Sequence, residues 1–460
     1  MDDKPQVDYI ATVDTSSVNP DGSVPEHGTV LLDAIPVAAV ERLASLFRET
    51  PEALTPERLD FLVLQVPASL PLSVTGGRPG WFGIQISEGG APQLDGFEAV
   101  APSFGVGDRR DLSLQIGLAP WEVPRQHLKL LEVIGNLDAL PESTPAEIAD
   151  ILKIGNLAAV AVYDIGQGSL SALVDEHEHP MLFFDLGWPL PFNEWTQPPT
   201  PKFDPFVQFR HLPSVVLSHL DFDHWGYAIE SGRAKWDPSR QYWLTQPIYR
   251  QQAMARPWLM RRPSVKRHNL GAWHLHFALT LAQSKLPNNR SALHIWPERE
   301  SKISVGPVTV FKCTNRSGRT AKPAYLRNNE SLGLHVRKGL TQALLCGDAD
   351  YPSIPQRYKR HLTGVVAPHH GGATTRGTMP DAIGHGRMVM STHQSAYPSI
   401  PHPAVLSEAR KLGWSIARTD DRFSCTRCQA DHGHRMIRLG QTPHCGCNGV
   451  DRAQLCIAKP

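Results

Sequence analysis

The chain has 460 residues, 41% of them hydrophobic and 20% charged, with a formal net charge of +1. That length exceeds one ordinary core, so two or three domains are expected. The neutral balance selects neither for nor against a polyanionic partner, and no apolar run nears the roughly 20 residues of a membrane span. The opening M-D-D-K-P-Q lacks the basic and apolar regions of an export signal, which sets a cytoplasmic expectation without a membrane.

Residues 1–156 hold no chemical constellation. Ile35 to Phe47 and Pro124 to Leu140 have helical apolar spacing, and Asp60 to Val66 reads as a buried strand. Segments rich in Gly and Pro, Thr75 to Gly83 and Gly89 to Asp95, separate them. Thr144, Pro145 and Glu147 form a helix-start signature. An α/β accessory domain, available to a protein partner, is expected here.

From Leu157 an apolar strand runs to Tyr163 and ends in Asp164-Ile165-Gly166-Gln167-Gly168. Ser171 to Val174 and Met181 to Phe184 follow, the second ending in Asp185-Leu186-Gly187, where an aspartate at a strand end can orient neighbouring ligands. Val215, Val216 and Leu217 then form a buried strand, followed by His219, Asp221, Asp223 and His224. In an extended loop the first three alternate onto one side, with His224 turning in beside Asp223. Imidazole mixed with carboxylate suits Zn, Mn or Fe. The competing reading is a helix N-cap with surface acids.

Residues 238–297 contain no Asp or Glu and carry nine cations, among them Arg261, Arg262, Lys266 and Arg267, interspersed with Tyr and Trp. Such a basic insertion suits a phosphate backbone and its bases, although a solvated helical insertion has the same composition. His268, His274 and His276 also fall here, each more often structural than ligating.

A second run of strands repeats one device. Ala343 to Cys346 ends in Gly347-Asp348, Gly364 to Ala367 ends in Pro368-His369-His370-Gly371, and Met388 to Ser391 ends before His393. An α/β scaffold gathers a site in this way at one edge of its sheets. The sequence leaves His369 and His370 as alternative ligands. His402, between Pro401 and Pro403, is either a substrate-facing group or part of a helix-start loop. Of seven cysteines, Cys425, Cys428, Cys445 and Cys447 have the spacing of a closed structural zinc site in a small C-terminal hairpin.

From about Ala158 to Asp420 these motifs resemble the metallo-β-lactamase-fold hydrolases, in particular the soluble domain of ComEC-type DNA-uptake competence proteins. Asp164-Ile165-Gly166-Gln167-Gly168 is similar to that family's opening turn, and Ser218-His219-x-Asp221-x-Asp223-His224 to its metal loop. Asn329-x-Ser331-Leu332, Gly347-Asp348 and Pro368-His369-His370-Gly371 are similar to its later motifs. Trp225-Gly226-Tyr227 after His224, and two glycines after His370, depart from it.

The resemblance implies an α/β fold with a four-layer αββα sandwich over residues 157–422; the accessory domain (1–156), the basic insertion (about 238–297) and the cysteine hairpin and tail (423–460) have no counterpart in it. It implies metal-assisted hydrolysis, first of a phosphodiester in DNA, RNA or a nucleotide. His219, Asp223, His224, Asp348 and His369 or His370 would hold one or two divalent metals, Zn before Mn. Asp221 would either ligate directly or orient His219 and accept the proton of the bound water, and His402 would meet the leaving group or a phosphate. The alternatives are a non-nucleic ester, lactone or thioester hydrolase, and a non-catalytic sensor or adaptor.

Overall fold

The structure, a computed structural model, describes residues 5–14, 17, 28–49, 54–75, 80–88, 97–105, 111–189, 196, 204–208, 213–263, 270–314, 327–393, 400–425 and 430–440. It is a mixed α/β fold dominated by strands.

The N-terminal part is a closed antiparallel barrel with the helices Val37–Glu49 and Ser69–Thr75 beside it. Its strands run in the order Val7–Val13, Thr29–Pro36, Leu62–Pro67, Phe97–Ala101, Leu112–Leu118 and Trp81–Glu88, which pairs with the first. Alternate side chains explain the closure. Tyr9, Leu32, Leu64, Ala99, Ile116 and Ile84 share one core cluster, while Ile10, Leu31, Ile35 and Val63 enter another core shared with the rest of the chain. An α/β arrangement expected from the helical spacing at Ile35 to Phe47 thus gives way to a barrel carrying that helix on its side.

Two seven-stranded sheets follow. The first has the order Leu293–Ile295, Trp258–Met260, Ser214–Val216, Pro180–Leu186, Leu170–Val174, Ala159–Val162, Arg435–Arg438. The second has the order Lys302–Val305, Val308–Lys312, Leu332–Lys338, Thr341–Leu345, Leu362–Val366, Ala382–Met390, Ser415–Arg418. Val160, Leu173, Leu182, Val216 and Leu259 of the first share a buried cluster with Val310, Leu334, Ala343, Leu345 and Val389 of the second. The remaining faces pack on helices. Ala172, Phe183 and Val215 share a core with Leu275 and Leu279 of the helix Ala272–Gln283, and Leu344, Val365 and Met388 share one with Val405 and Ala409 of the helix Pro403–Lys411.

Three expected boundaries shift. Residues 238–297 are no separate insertion: Trp258–Met260 and Leu293–Ile295 belong to the first sheet, and Ala272–Gln283 is buried against it. Arg125–Gly135 packs against the helices Val37–Glu49 and Ala272–Gln283, and Pro145–Leu152 packs with the sheets, the latter started by a complete Thr144–Glu147 capping box. Beyond residue 422, Arg435–Arg438 completes an edge of the first sheet against Ala159–Val162. Phe423–Cys425 pairs with Ala430–His432, but Cys428, Cys445 and Cys447 lie outside the described residues, as does the side chain of Cys425. No helix among the described residues is long and apolar enough to cross a membrane.

The barrel docks through Asp33, whose Oδ2 accepts a hydrogen bond from the Trp273 backbone at 2.7 Å. Burial pushes the Asp33 carboxyl up to about 7, against that bond and the nearby His274. A carboxyl raised on folding contributes stability that is fully present below its ordinary pKa and is lost as pH rises to about 7. Asp33→Asn removes this titration and keeps an acceptor for Trp273. Chemical unfolding should therefore show the variant gaining about 2–3 kcal/mol on wild type between pH 5 and pH 7, and little beyond.

Candidate metal centre

The centre lies where parallel strands end. Ser214–Val216 runs parallel to Pro180–Leu186 in the first sheet, and Thr341–Leu345 runs parallel to Leu362–Val366 in the second. Loops leaving the carboxyl ends of such neighbours emerge at one edge. These four strands deliver His219 to His224, Asp185, Asp348, and His369 with His370, respectively.

Asp185 sits at a register irregularity in its strand, with φ of 62°. That left-handed backbone is uncommon for aspartate and costs energy. The carboxylate uses it well, accepting from Ser218 N at 2.7 Å, Ser218 Oγ at 2.9 Å and Ser169 Oγ at 3.2 Å. It also lies 2.8 Å from His224 Nδ1, which turns Nε2 of that ring toward the centre. Gly187, two residues on, lets the chain pass beneath the metal loop: a Cβ there would lie 1.7 Å from the Asp223 carbonyl oxygen. That carbonyl accepts from Ser169 N at 2.9 Å.

Around His224 the side chains converge. Its Nε2 is 3.3 Å from Asp348 Oδ1 and 3.8 Å from Asp223 Oδ1. His370 Nε2 is 3.0 Å from Asp223 Oδ2, and its Nδ1 is 2.7 Å from the Ser391 carbonyl, which fixes the proton on Nδ1. His369 Nδ1 is 3.0 Å from Asp348 Oδ2. Among the described residues two groups could hold a cation: His219, His224 and Asp348, and Asp223, His224 and His370. The buried Nε2 atoms of His219 and His224 have no hydrogen-bond partner among the described residues. A buried lone pair in that state is costly, and a cation at this mixed nitrogen and oxygen set would satisfy both rings. The residues fit a transition-metal ion.

The electrostatics agree. Burial opposes charge on His224, yet Asp348, Asp223 and Asp185 outweigh it and hold the imidazole well above its usual range. Burial likewise opposes ionisation of Asp348, but His224 and His369 keep its carboxyl well below the ordinary value. Such a field attracts positive charge, whether protons or a metal.

The other expected site residues fall elsewhere. Asp221 is not on an extended strand: the helix Phe222–Trp225 begins just after it. Its Oδ1 accepts from Arg327 at 2.7 Å and its Oδ2 is 3.3 Å from His219 Nε2, and it belongs to neither candidate group. Despite burial, Arg327 and His219 hold its carboxyl well below the usual range, which makes it a poor proton acceptor. His402 caps the helix Pro403–Lys411 through Nδ1, and its backbone N–H donates to the Gly371 carbonyl. Arg261 donates to the carbonyls of Cys313 and Glu330 and pairs with Glu298. Arg262 donates to the Leu140 carbonyl and pairs with Glu142. Lys266 and Arg267 lie outside the described residues, as does His268, while His276 meets Tyr249 at 2.9 Å. Sequence reasoning gave Arg327 and Ser391 no role. Arg327 carried only the signal of a cation two residues before Asn329, and Ser391 acts through its backbone, which no side-chain pattern reveals.

No protein-family model matches the chain, and no curated protein matches it. Among solved structures it is similar to the metallo-β-lactamase fold protein YhfI from Bacillus subtilis, at 11% identity over 57% of this chain and 97% of that one, with a TM-score of 0.33. It is similar also to Tm1679, a metal-dependent hydrolase of the β-lactamase superfamily, at 11% identity over 57% and 95% of the two chains, with a TM-score of 0.30. Zn(2+)-bound PqqB from Methylobacterium extorquens matches at 11% identity over 56% and 97%, with a TM-score of 0.29. At TM-scores of this size, the functional case rests on the site's own geometry.

Gly187→Ala should drive the Asp185 turn and the Asp223 carbonyl apart. Thermal unfolding is expected to show a loss of about 2 kcal/mol or more, since backbone rather than a flexible side chain must move.

Proposed function

We propose that the protein is a metal-dependent hydrolase on a four-layer αββα metallo-β-lactamase-type sandwich, acting first on a phosphodiester. One observation carries the hydrolase reading: His219, His224, Asp348, Asp223 and His370, from loops far apart in sequence, converge, and the buried Nε2 atoms of His219 and His224 face carboxylates without making a hydrogen bond among the described residues. Two sheets sharing a core, each with helices behind it, support the sandwich. The ordered motifs from Asp164 to His370 support the phosphodiester.

His219, His224 and Asp348 would hold one cation, with Asp223 and His370 beside them. Nδ1 of His224 is committed to Asp185, so only the single lone pair on Nε2 would be free to hold a cation. A second ion would draw on Asp223 and His370. When bound, a divalent cation lowers the pKa of its water and stabilises charge at the attacked atom. The protein's own groups prepare the place. Asp185 fixes the His224 ring, the Ser391 carbonyl fixes the His370 ring, and Ser218 Oγ lies 3.0 Å from His219 Nδ1. Arg327 neutralises Asp221, lowering the negative charge that an anionic substrate meets.

A second reading, hydrolysis of a smaller non-nucleic ester, draws on the fate of the basic segment. Arg256 is buried on backbone carbonyls, Arg240 pairs with Asp60, and Arg261 and Arg262 pair within the protein. Those cations are spent on the fold rather than presented to a polyanion. A cysteine-bound structural zinc and a protein partner on the barrel remain part of the proposal.

The test is metal analysis joined to turnover of bis(p-nitrophenyl) phosphate and p-nitrophenyl acetate. Wild type should retain a divalent ion and cleave the phosphodiester, and chelation should abolish turnover until Zn or Mn is restored. His224→Ala and Asp348→Ala should lose the ion and at least about 100-fold in kcat/KM. Full occupancy in both variants would count against the centre. Cleavage of the acetate alone would move the assignment to the ester. For the nucleic-acid form of the proposal, affinity for single- or double-stranded DNA should fall steeply between 50 and 200 mM salt, on the order of tenfold or more. Binding that is absent or insensitive to salt would remove nucleic acid as the substrate.

A further inference from the structure

A buried hydrogen-bonded chain joins the barrel to the metal loop, and hydrolysis as described makes no use of it. The indole Nε1 of Trp225 donates to His274 Nδ1 at 3.1 Å, and His274 Nε2 lies 2.8 Å from Asp14 Oδ2. All three side chains are buried. An indole N–H can only donate, so His274 Nδ1 accepts and the ring proton sits on Nε2, directed at the carboxylate. Trp225 directly follows His224, and Asp14 directly follows the barrel strand Val7–Val13. The link therefore spans 260 residues of sequence between Asp14 and His274.

The ring is fixed in other ways as well. Trp225 stacks on Phe277 with centroids 4.2 Å apart and planes at 9°, and meets Trp273 edge-on at 5.6 Å. Asp33 of the barrel takes the Trp273 backbone N–H, and the missing Cβ of Gly271 leaves room for it: a Cβ there would lie 2.1 Å from Asp33 Oδ2. Two barrel carboxylates thus grip the first turn of the helix Ala272–Gln283.

We infer that Asp14 and His274 are positioning residues through which the N-terminal barrel sets the place of His224 in the metal centre. This rests on reading His224 as a ligand. The helix Phe222–Trp225 has four residues and no side-chain cap bond at Asp221, so it has little stability of its own. External anchors must hold it. Asp185 orients the His224 ring, and the Trp225 indole fixes the adjoining backbone. Metal ligands tolerate displacements of only about 0.5 Å, so a slack helix weakens binding without unfolding the protein.

His274→Leu keeps bulk and removes both hydrogen bonds, whereas His274→Gln supplies one acceptor and one donor. In the full-length protein, Zn(II) affinity by chelator competition should fall about 10–100-fold for the Leu variant and stay within a few-fold of wild type for Gln. Amide hydrogen exchange across residues 219–225 of the metal-free protein should quicken for Leu and not for Gln. Equal zinc affinity in wild type and His274→Leu overturns the inference, and so does a Gln variant as weak as Leu, which would mean packing alone. If His274→Leu fails to fold, Trp225→Phe removes only the N–H and keeps the stacking. It should weaken zinc in the same direction, and unaltered affinity overturns the inference. Should wild type bind no zinc while exchange still separates Leu from Gln, the hydrolase reading falls and the chain's hold on the loop stands. Exchange unchanged in both variants overturns that hold.

Discussion

A carboxylate shut away from water is tolerable only when its lone pairs are filled, and Asp185 shows how much the centre depends on meeting that condition. Ser218 N donates to Oδ1, while the Ser218 and Ser169 hydroxyls donate to Oδ2, the oxygen that the His224 ring also faces. Because Ser218 precedes His219 directly, the bonds that stabilise the acid also fix where the metal loop leaves its strand. The strained backbone at Asp185 is the cost of aiming the carboxylate there, and the four contacts offset it. Change the acid and the loop loses its reference point along with one ring's orientation.

The two sheets give that local arrangement its reach. Parallel strands in each point their carboxyl ends the same way, so loops separated by more than a hundred residues meet at one edge. The apolar layer between the sheets fixes their spacing, and with it the distance from Asp223 on one side to His370 on the other. A core residue such as Val216 or Leu345 therefore contributes to ligand geometry although it touches no ligand.

Much of the centre was legible because its parts follow strands. Val215 to Leu217 announced a buried strand and His219 to His224 its cargo, and the same grammar located Asp348 and the histidine pair. The alternative between His369 and His370 was not legible, since both follow the same proline. It takes three-dimensional contacts to put His370 against Asp223 and His369 against Asp348. The contact of Asp221 with His219 was legible, but its second partner, Arg327, was not, being distant in sequence. The barrel was harder. Thr29–Pro36 is buried along nearly its whole length, so it lacks the alternation that marks a one-faced strand. Phe82, Ile84 and Ile86 do alternate, as do Leu112, Leu114 and Ile116, but the first stretch lies between the Gly- and Pro-rich segments Thr75 to Gly83 and Gly89 to Asp95 and overlaps one of them. The basic segment misled through composition: its missing acids lie on other elements, at Asp60, Glu142 and Glu298.

The strand Arg435–Arg438 carries a consequence for how the molecule is made. It pairs with Ala159–Val162, whose other neighbour, Leu170–Val174, follows within a few residues. During synthesis that flank of the sheet stays open while more than two hundred and fifty further residues leave the ribosome, exposing unpaired backbone and apolar side chains to other nascent chains. Only Arg435–Arg438 closes it, so a product that stops before this strand would carry an adhesive border however well its metal ligands were placed.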